Sequence, residues 1–163
     1  VRGDTRFQGD ADGRSMAEYP DKLAKVVRLV GRTQDRQERV QLLIDFARRY
    51  RPVPAEVASP PYAEQFKVPA CESQAYVFPR PNPDGTLTFH FAVENPQGIS
   101  AMALAAILGD ALSGAPLERV AGVSPDVVYD IFGRELSMGK SMGLTAMVNL
   151  VVSFARSHMS QGS

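Results

Sequence analysis

Thr86-Leu87-Thr88-Phe89-His90-Phe91-Ala92-Val93 alternates without a break. Leu87, Phe89, Phe91 and Val93 fall on one face, with Thr86, Thr88, His90 and Ala92 on the other. Period two of this kind marks a half-buried β-strand. Upstream, Pro79-Arg80-Pro81-Asn82-Pro83-Asp84-Gly85 is a run of turn formers. Before it, Gln74–Phe78 carries Tyr76, Val77 and Phe78, which favour the pleated state. The pair predicts an antiparallel hairpin. A third short strand is expected near Gln65–Val68, giving a small antiparallel sheet of about three strands.

Helical patterns flank the hairpin on both sides. Leu23, Val26, Val27 and Val30 form one stripe, which Gly31 is expected to end. Asp35 followed by Glu38 has the spacing of a capping box, ahead of a second stripe at Val40, Leu43, Ile44 and Ala47. Arg48, Arg49 and Arg51 then complement that helix's C-terminal dipole. From Pro52 to Tyr62 the prolines exclude helix interior and predict an extended surface run. Beyond the hairpin, Ser100 is the expected cap of an apolar helix running to Leu112, ended by Ser113-Gly114. Ser124-Pro125 reads as an N-cap with proline at the first helical position, leading into Val127, Val128, Ile131 and Phe132. Leu144, Met147, Val148, Val151, Phe154 and Ala155 mark a long terminal helix. The order predicts an α+β fold, with helices packed on one face of the sheet.

A chain of 163 residues suits one domain, and 44% apolar content with 22% charge is that of an ordinary globular protein. Eighteen basic residues balance eighteen acidic ones, which disfavours nucleic acid or an anionic membrane surface as partner. No uninterrupted apolar run approaches the roughly 18 residues of a transmembrane span. Residues 1–15 are polar and lack any period; they are expected to be a disordered upstream extension or a cloning remnant. A single domain is then expected over 16–159, with 160–163 as a tail.

Only one cysteine is present, Cys71, and only two histidines, His90 and His158. That excludes an internal disulfide, a Cys-x-x-Cys redox pair and a cysteine-rich metal or cluster site within one chain. A reduced compartment such as the cytoplasm and a chain without cofactor or metal are the corresponding expectations. Cys71 lies in Val68-Pro69-Ala70-Cys71-Glu72-Ser73-Gln74, a proline-stiffened loop ahead of the first strand. A lone cysteine is commonly a small buried hydrophobe, but loops on a rigid scaffold are where reactive groups sit. A Cys–His hydrolase would need His90 or His158 at Cys71; His90 reads instead as a solvent-facing strand residue and His158 as a chain-end residue. Gly139-Lys140-Ser141 is not a nucleotide loop, because Arg134 occupies the position of the first glycine and no parallel strand precedes it. It reads as the cap of the terminal helix, and Glu118, Arg119, Arg134 and Glu135 read as solvated charge. A thiol with no base, metal or cofactor of its own suits exchange with other proteins better than turnover of a substrate.

At these residues the chain resembles the SufE family of cysteine-desulfurase partners, from about Asp21 to Met159. Ala70-Cys71-Glu72-Ser73-Gln74-Ala75-Tyr76 is similar to the family's Gly-Cys-x-Ser-x-(Val)-Trp. Leu136-Ser137-x-x-Lys140-x-x-Gly143-Leu144 is similar to a second motif with Ser, then Arg, then Asn/Gln-Gly opening the terminal helix. Lys140 stands in place of that Arg, Tyr76 of Trp and Ala70 of Gly, and Glu94-Asn95-Pro96-Gln97-Gly98 stands in place of an Asp-Ser-Asp type segment.

The resemblance implies sulfur transfer for iron–sulfur cluster assembly. Cys71 would take persulfide sulfur from a SufS-type desulfurase, whose own cofactor is pyridoxal phosphate, and pass it to a SufBCD-type scaffold. Ser73 and Gln74 would shape the loop, and Lys140 and Gly143 would contact the partner or hold the loop. This describes a sulfur carrier and desulfurase activator rather than a stand-alone enzyme, in the cytoplasm or, in a eukaryote, the plastid stroma. A homodimer is compatible with it. A binding-only adaptor or regulator of a desulfurase or scaffold is the alternative, and a cluster scaffold is disfavoured by the single cysteine.

Overall fold

The computed structural model describes residues 19–162, so the upstream extension expected at 1–15 lies outside the described residues. The alternating segment is strand β2 (Leu87–Val93), paired antiparallel with β1 (Ala75–Pro81) in the register Ala75↔Val93 through Pro81↔Leu87. Asp84 and Gly85 turn the hairpin; Gly85 has φ of 90°, and the Asn82 N–H donates to the Thr86 carbonyl at 2.9 Å. Leu87, Phe89, Phe91 and Val93 are all buried, as their alternation predicts. Burying side chains of this size contributes about 1.5–3 kcal/mol each.

Among the described residues the sheet has two strands, not three. At the β1 edge, Lys67 makes a single bridge with Tyr76, and the Val68 N–H donates to Ala75 at 2.8 Å before Pro69, which has no N–H, and the loop end the pairing. The expected strand is instead a 3₁₀ turn at Glu64–Phe66. The β2 edge is closed without a strand. The Leu87 carbonyl accepts from Gly114 and the Phe91 carbonyl from Val53, while the Phe89 and Val93 N–H groups donate to the Ser113 and Tyr50 hydroxyls. Four of the outward-facing backbone groups that would template a third strand are thus occupied.

The core face of the hairpin is covered by helix. Helix α3 (Ile99–Leu112) lies along β2 and is also packed by α1 (Asp21–Arg32) and α2 (Arg36–Arg48). Two short helices, α4 (Leu117–Ala121) and α5 (Val127–Phe132), lead to α6 (Met138–Gln161), which packs on β1, α3, α4 and α5. By length and mean hydropathy α6 passes as a membrane span, but its buried side chains, Leu144, Met147, Val148, Val151 and Ala155, belong to the core. It also continues through Ser160, which was expected in the tail.

The second face of the hairpin is not left to solvent. Val53 from the proline-rich run joins Tyr76, Phe78 and Ala92 in a separate buried cluster, flanked by Tyr62 and Phe66. The Tyr62 ring lies 5.0 Å from Tyr76 and 5.2 Å from Phe78, centroid to centroid. The run is therefore a lid on the sheet rather than a simple surface connector.

Three local expectations are corrected. Helix α3 begins at Ile99 with Gly98 as N-cap, so Ser100 lies inside the helix. Ser124 and Pro125 form a turn in which the Ser124 hydroxyl accepts from the Asp126 N–H at 3.1 Å, and α5 starts only at Val127. Arg119 is not idle charge: it donates to the Tyr19 carbonyl and pairs with Asp21 at 3.4 Å, tying α4 to the start of α1. The Asp35 cap holds, accepting from the Glu38 N–H at 3.0 Å.

Candidate functional site

Cys71 sits at the tip of a tight loop clamped at both ends. Val68 and Ala75 close its base, and the Gln74 N–H returns to the Cys71 carbonyl at 3.3 Å. The Ser73 and Gln74 carbonyls accept from the Asn95 and Glu94 N–H groups, each at 3.1 Å, so the end of β2 holds the loop. Two residues bracket the cysteine in the left-handed region, Ala70 at φ 57° and Gln74 at φ 55°. Non-glycine residues adopt that conformation only at a cost of about 1–2 kcal/mol. A left-handed Ala70 gives a physical reason why glycine suits this position.

Three glycines receive the loop, one for each of three consecutive residues. A Cβ on Gly143 would lie 3.1 Å from the Cys71 Cα. One on Gly139 would lie 2.6 Å from the Glu72 Oε1, and one on Gly98 2.6 Å from the Ser73 Oγ. Gly139 and Gly143 are one helical turn apart on α6, so the loop lies along that helix face. Ser137 caps α6 by accepting from the Lys140 N–H at 3.3 Å, which is the capping role read from Leu136–Ser141.

Loop and helices enclose a cavity of about 380 Å³. The first turns of α3 and α6 both line it, through Ile99, Ser100, Gly139 and Lys140. The positive ends of two helices and one ammonium thus face the same space, opposed by the Glu72 carboxylate. Such a lining suits a small anion. Cys71 is half-buried and borders both this cavity and an open depression on the outer side of the loop, where Lys67 and Gln74 lie. Around the site, Ile99, Met138 and Met142 are exposed, Met138 at 78%.

All five residues singled out in the sequence converge here. Cys71, Ser73, Lys140 and Gly143 line the cavity, and Gln74 the outer depression. Neither histidine lines either space. His90 lies on β2 beside a different cavity, and His158 near the far end of α6. Among the described residues no cluster of His, Cys, Asp and Glu is arranged to hold a metal. Sequence reading missed Gly98, Gly139 and the exposed Ile99, Met138 and Met142. Only the four-residue spacing of Gly139 and Gly143 offered a signal. Tyr76, beneath the loop, has its hydroxyl pushed above the usual tyrosine range by burial and by the neighbouring Glu94 carboxylate.

A family model described as SufE, Fe-S metabolism associated domain, matches residues 24–155. No curated protein matches the chain. Among solved structures, that of a hypothetical protein from Thermus thermophilus is similar with a TM-score of 0.67 at 23% identity, covering 87% of this chain and 98% of that one. At this identity the likeness establishes the fold.

Proposed function

The chain belongs to the SufE family, the Fe-S metabolism associated domain, and from that premise we propose that it carries sulfur on Cys71 between a cysteine desulfurase and a cluster scaffold. The observation that carries the reading is the position of Cys71: half-buried at the tip of a clamped loop, between a cavity lined by two helix N-termini and open solvent. In the proposed step the Cys71 thiolate attacks the outer sulfur of the partner's persulfide. A new S–S bond forms at Cys71 Sγ, the partner's S–S bond breaks, and the partner thiolate leaves with the electron pair. The transferred sulfur keeps its oxidation state, so no external oxidant or reductant enters.

The cavity's role in this reading is to receive the persulfide anion between the two steps, where the ends of α3 and α6 and the Lys140 ammonium stabilise it. The partners we propose are a SufS-type desulfurase, bearing its own pyridoxal phosphate, and a SufBCD-type scaffold, in a reducing compartment such as the cytoplasm or a plastid stroma. Ile99, Met138 and Met142 give the desulfurase an apolar rim to dock against, Met being common at adaptable binding surfaces.

The test is the rate of sulfide release by a SufS-type desulfurase given L-cysteine and reductant. The wild type is expected to raise it, and Cys71→Ser to abolish the increase. Full stimulation by Cys71→Ser would replace the carrier reading with that of a binding-only adaptor.

A further inference from the structure

A second cavity, of about 350 Å³, opens beside β2 between α2 and α3 and shares no lining residue with the spaces at Cys71. Small residues on α3 create it. Ala105, Ala106 and Gly109 recur at helical spacing on the wall facing Phe46 and Phe91, and a Cβ on Gly109 would stand 3.4 Å from the Phe91 ring. Its interior is aromatic, and Phe46, Phe89 and Phe91 are themselves buried.

Its charged lining is two arginines, Arg49 and Arg51, against one carboxylate, the exposed Asp110. The Arg49 guanidinium is held 5.2 Å over the Phe46 ring, and Arg51 Nη1 donates to the Arg48 and Tyr50 carbonyls at 3.3 and 3.1 Å. Among the described residues neither arginine has a carboxylate within ion-pair distance. Two exposed guanidiniums without counter-ions, lining an apolar slot of this size, suit a carboxylate whose body fills the slot.

We propose that this cavity binds a small organic anion with an aromatic or otherwise apolar body, the anion on Arg49 and Arg51 and the body against the phenylalanine rings. The test titrates the full chain with phenylacetate while following backbone amide NMR signals, with neutral phenylacetamide as the matched control. Saturable shifts at Phe91 and Gly109 are expected. Affinity should be at least roughly tenfold weaker for phenylacetamide, and for phenylacetate with the Arg49→Gln/Arg51→Gln variant. Ala106→Phe, which fills the slot and leaves both arginines, should abolish the shifts in a chain whose thermal unfolding remains cooperative. No saturable shift up to about 10 mM phenylacetate would overturn the proposal. So would equal binding of the two probes, or undiminished binding by either variant.

Discussion

Gly143 and Cys71 touch across the helix–loop junction: the position of a Cβ on Gly143 is 3.1 Å from the Cys71 Cα and 3.4 Å from its Cβ. The site is therefore held by close backbone approach. A side chain on Gly143 acts directly on the placement of the thiol.

Gly143→Ala is expected to shift the loop by a few tenths of an ångström. Improved helix propensity of about 1 kcal/mol offsets the crowding, so stability changes little. Gly143→Val cannot be accommodated in this way and should push the loop off α6. The measurement is the rate of Cys71 modification by a water-soluble disulfide reagent, expected to rise from wild type through Ala to Val.

Gly98 and Ser73 give a sharper contact. A Cβ on Gly98 would stand 2.6 Å from the Ser73 Oγ and 2.8 Å from its Cβ, which rotation of the hydroxyl cannot relieve. Gly98→Ala should cost about 1–3 kcal/mol in denaturant unfolding. Adding Ser73→Gly removes both clashing atoms, so the double variant should recover part of the loss. A double-mutant cycle measures that coupling.

The left-handed Ala70 yields a prediction of opposite sign. Ala70→Gly relieves a conformational cost of about 1–2 kcal/mol while adding unfolded-state entropy worth about 0.4–1 kcal/mol. The net expectation is a stabilisation of up to about 1.6 kcal/mol, read as a higher denaturation midpoint at unchanged slope.

His90 couples stability to pH. Burial and then the Arg80 guanidinium hold its pKa below the ordinary histidine value of about 6.5, with Glu56 opposing. Above that value His90 is neutral in both states and carries no penalty. As pH falls through it the unfolded chain binds the proton first, so stability is lost towards acid. Thermal midpoints between about pH 7 and 5 should fall less steeply in His90→Gln than in the wild type.

Much of this architecture was legible in the sequence because it rests on local periodicity. The alternation of Leu87 to Val93 places the strand and its buried face, and the stripes at Leu23 and Leu144 place α1 and α6. What escaped was tertiary. No pattern reveals that Val53 and Tyr62 would fold back over Tyr76 and Phe78, or that hydroxyls of Ser113 and Tyr50 would replace a neighbouring strand. Lys67 could not extend its bridge into a strand, because the chain turns at once into the cysteine loop. At the site, the lone cysteine and the motif around it drew attention to the loop. The glycines that receive it were less visible, since a glycine's sequence neighbours do not say what packs against its missing side chain.

The central claim is that Cys71 itself carries sulfur. Intact mass spectrometry after incubation with a SufS-type desulfurase and L-cysteine addresses it most directly. The account predicts a reductant-reversible gain of about 32 Da, one sulfur atom, on the wild type and none on Cys71→Ser. No gain on the wild type while the desulfurase turns over, or an equal gain on Cys71→Ser, would contradict it.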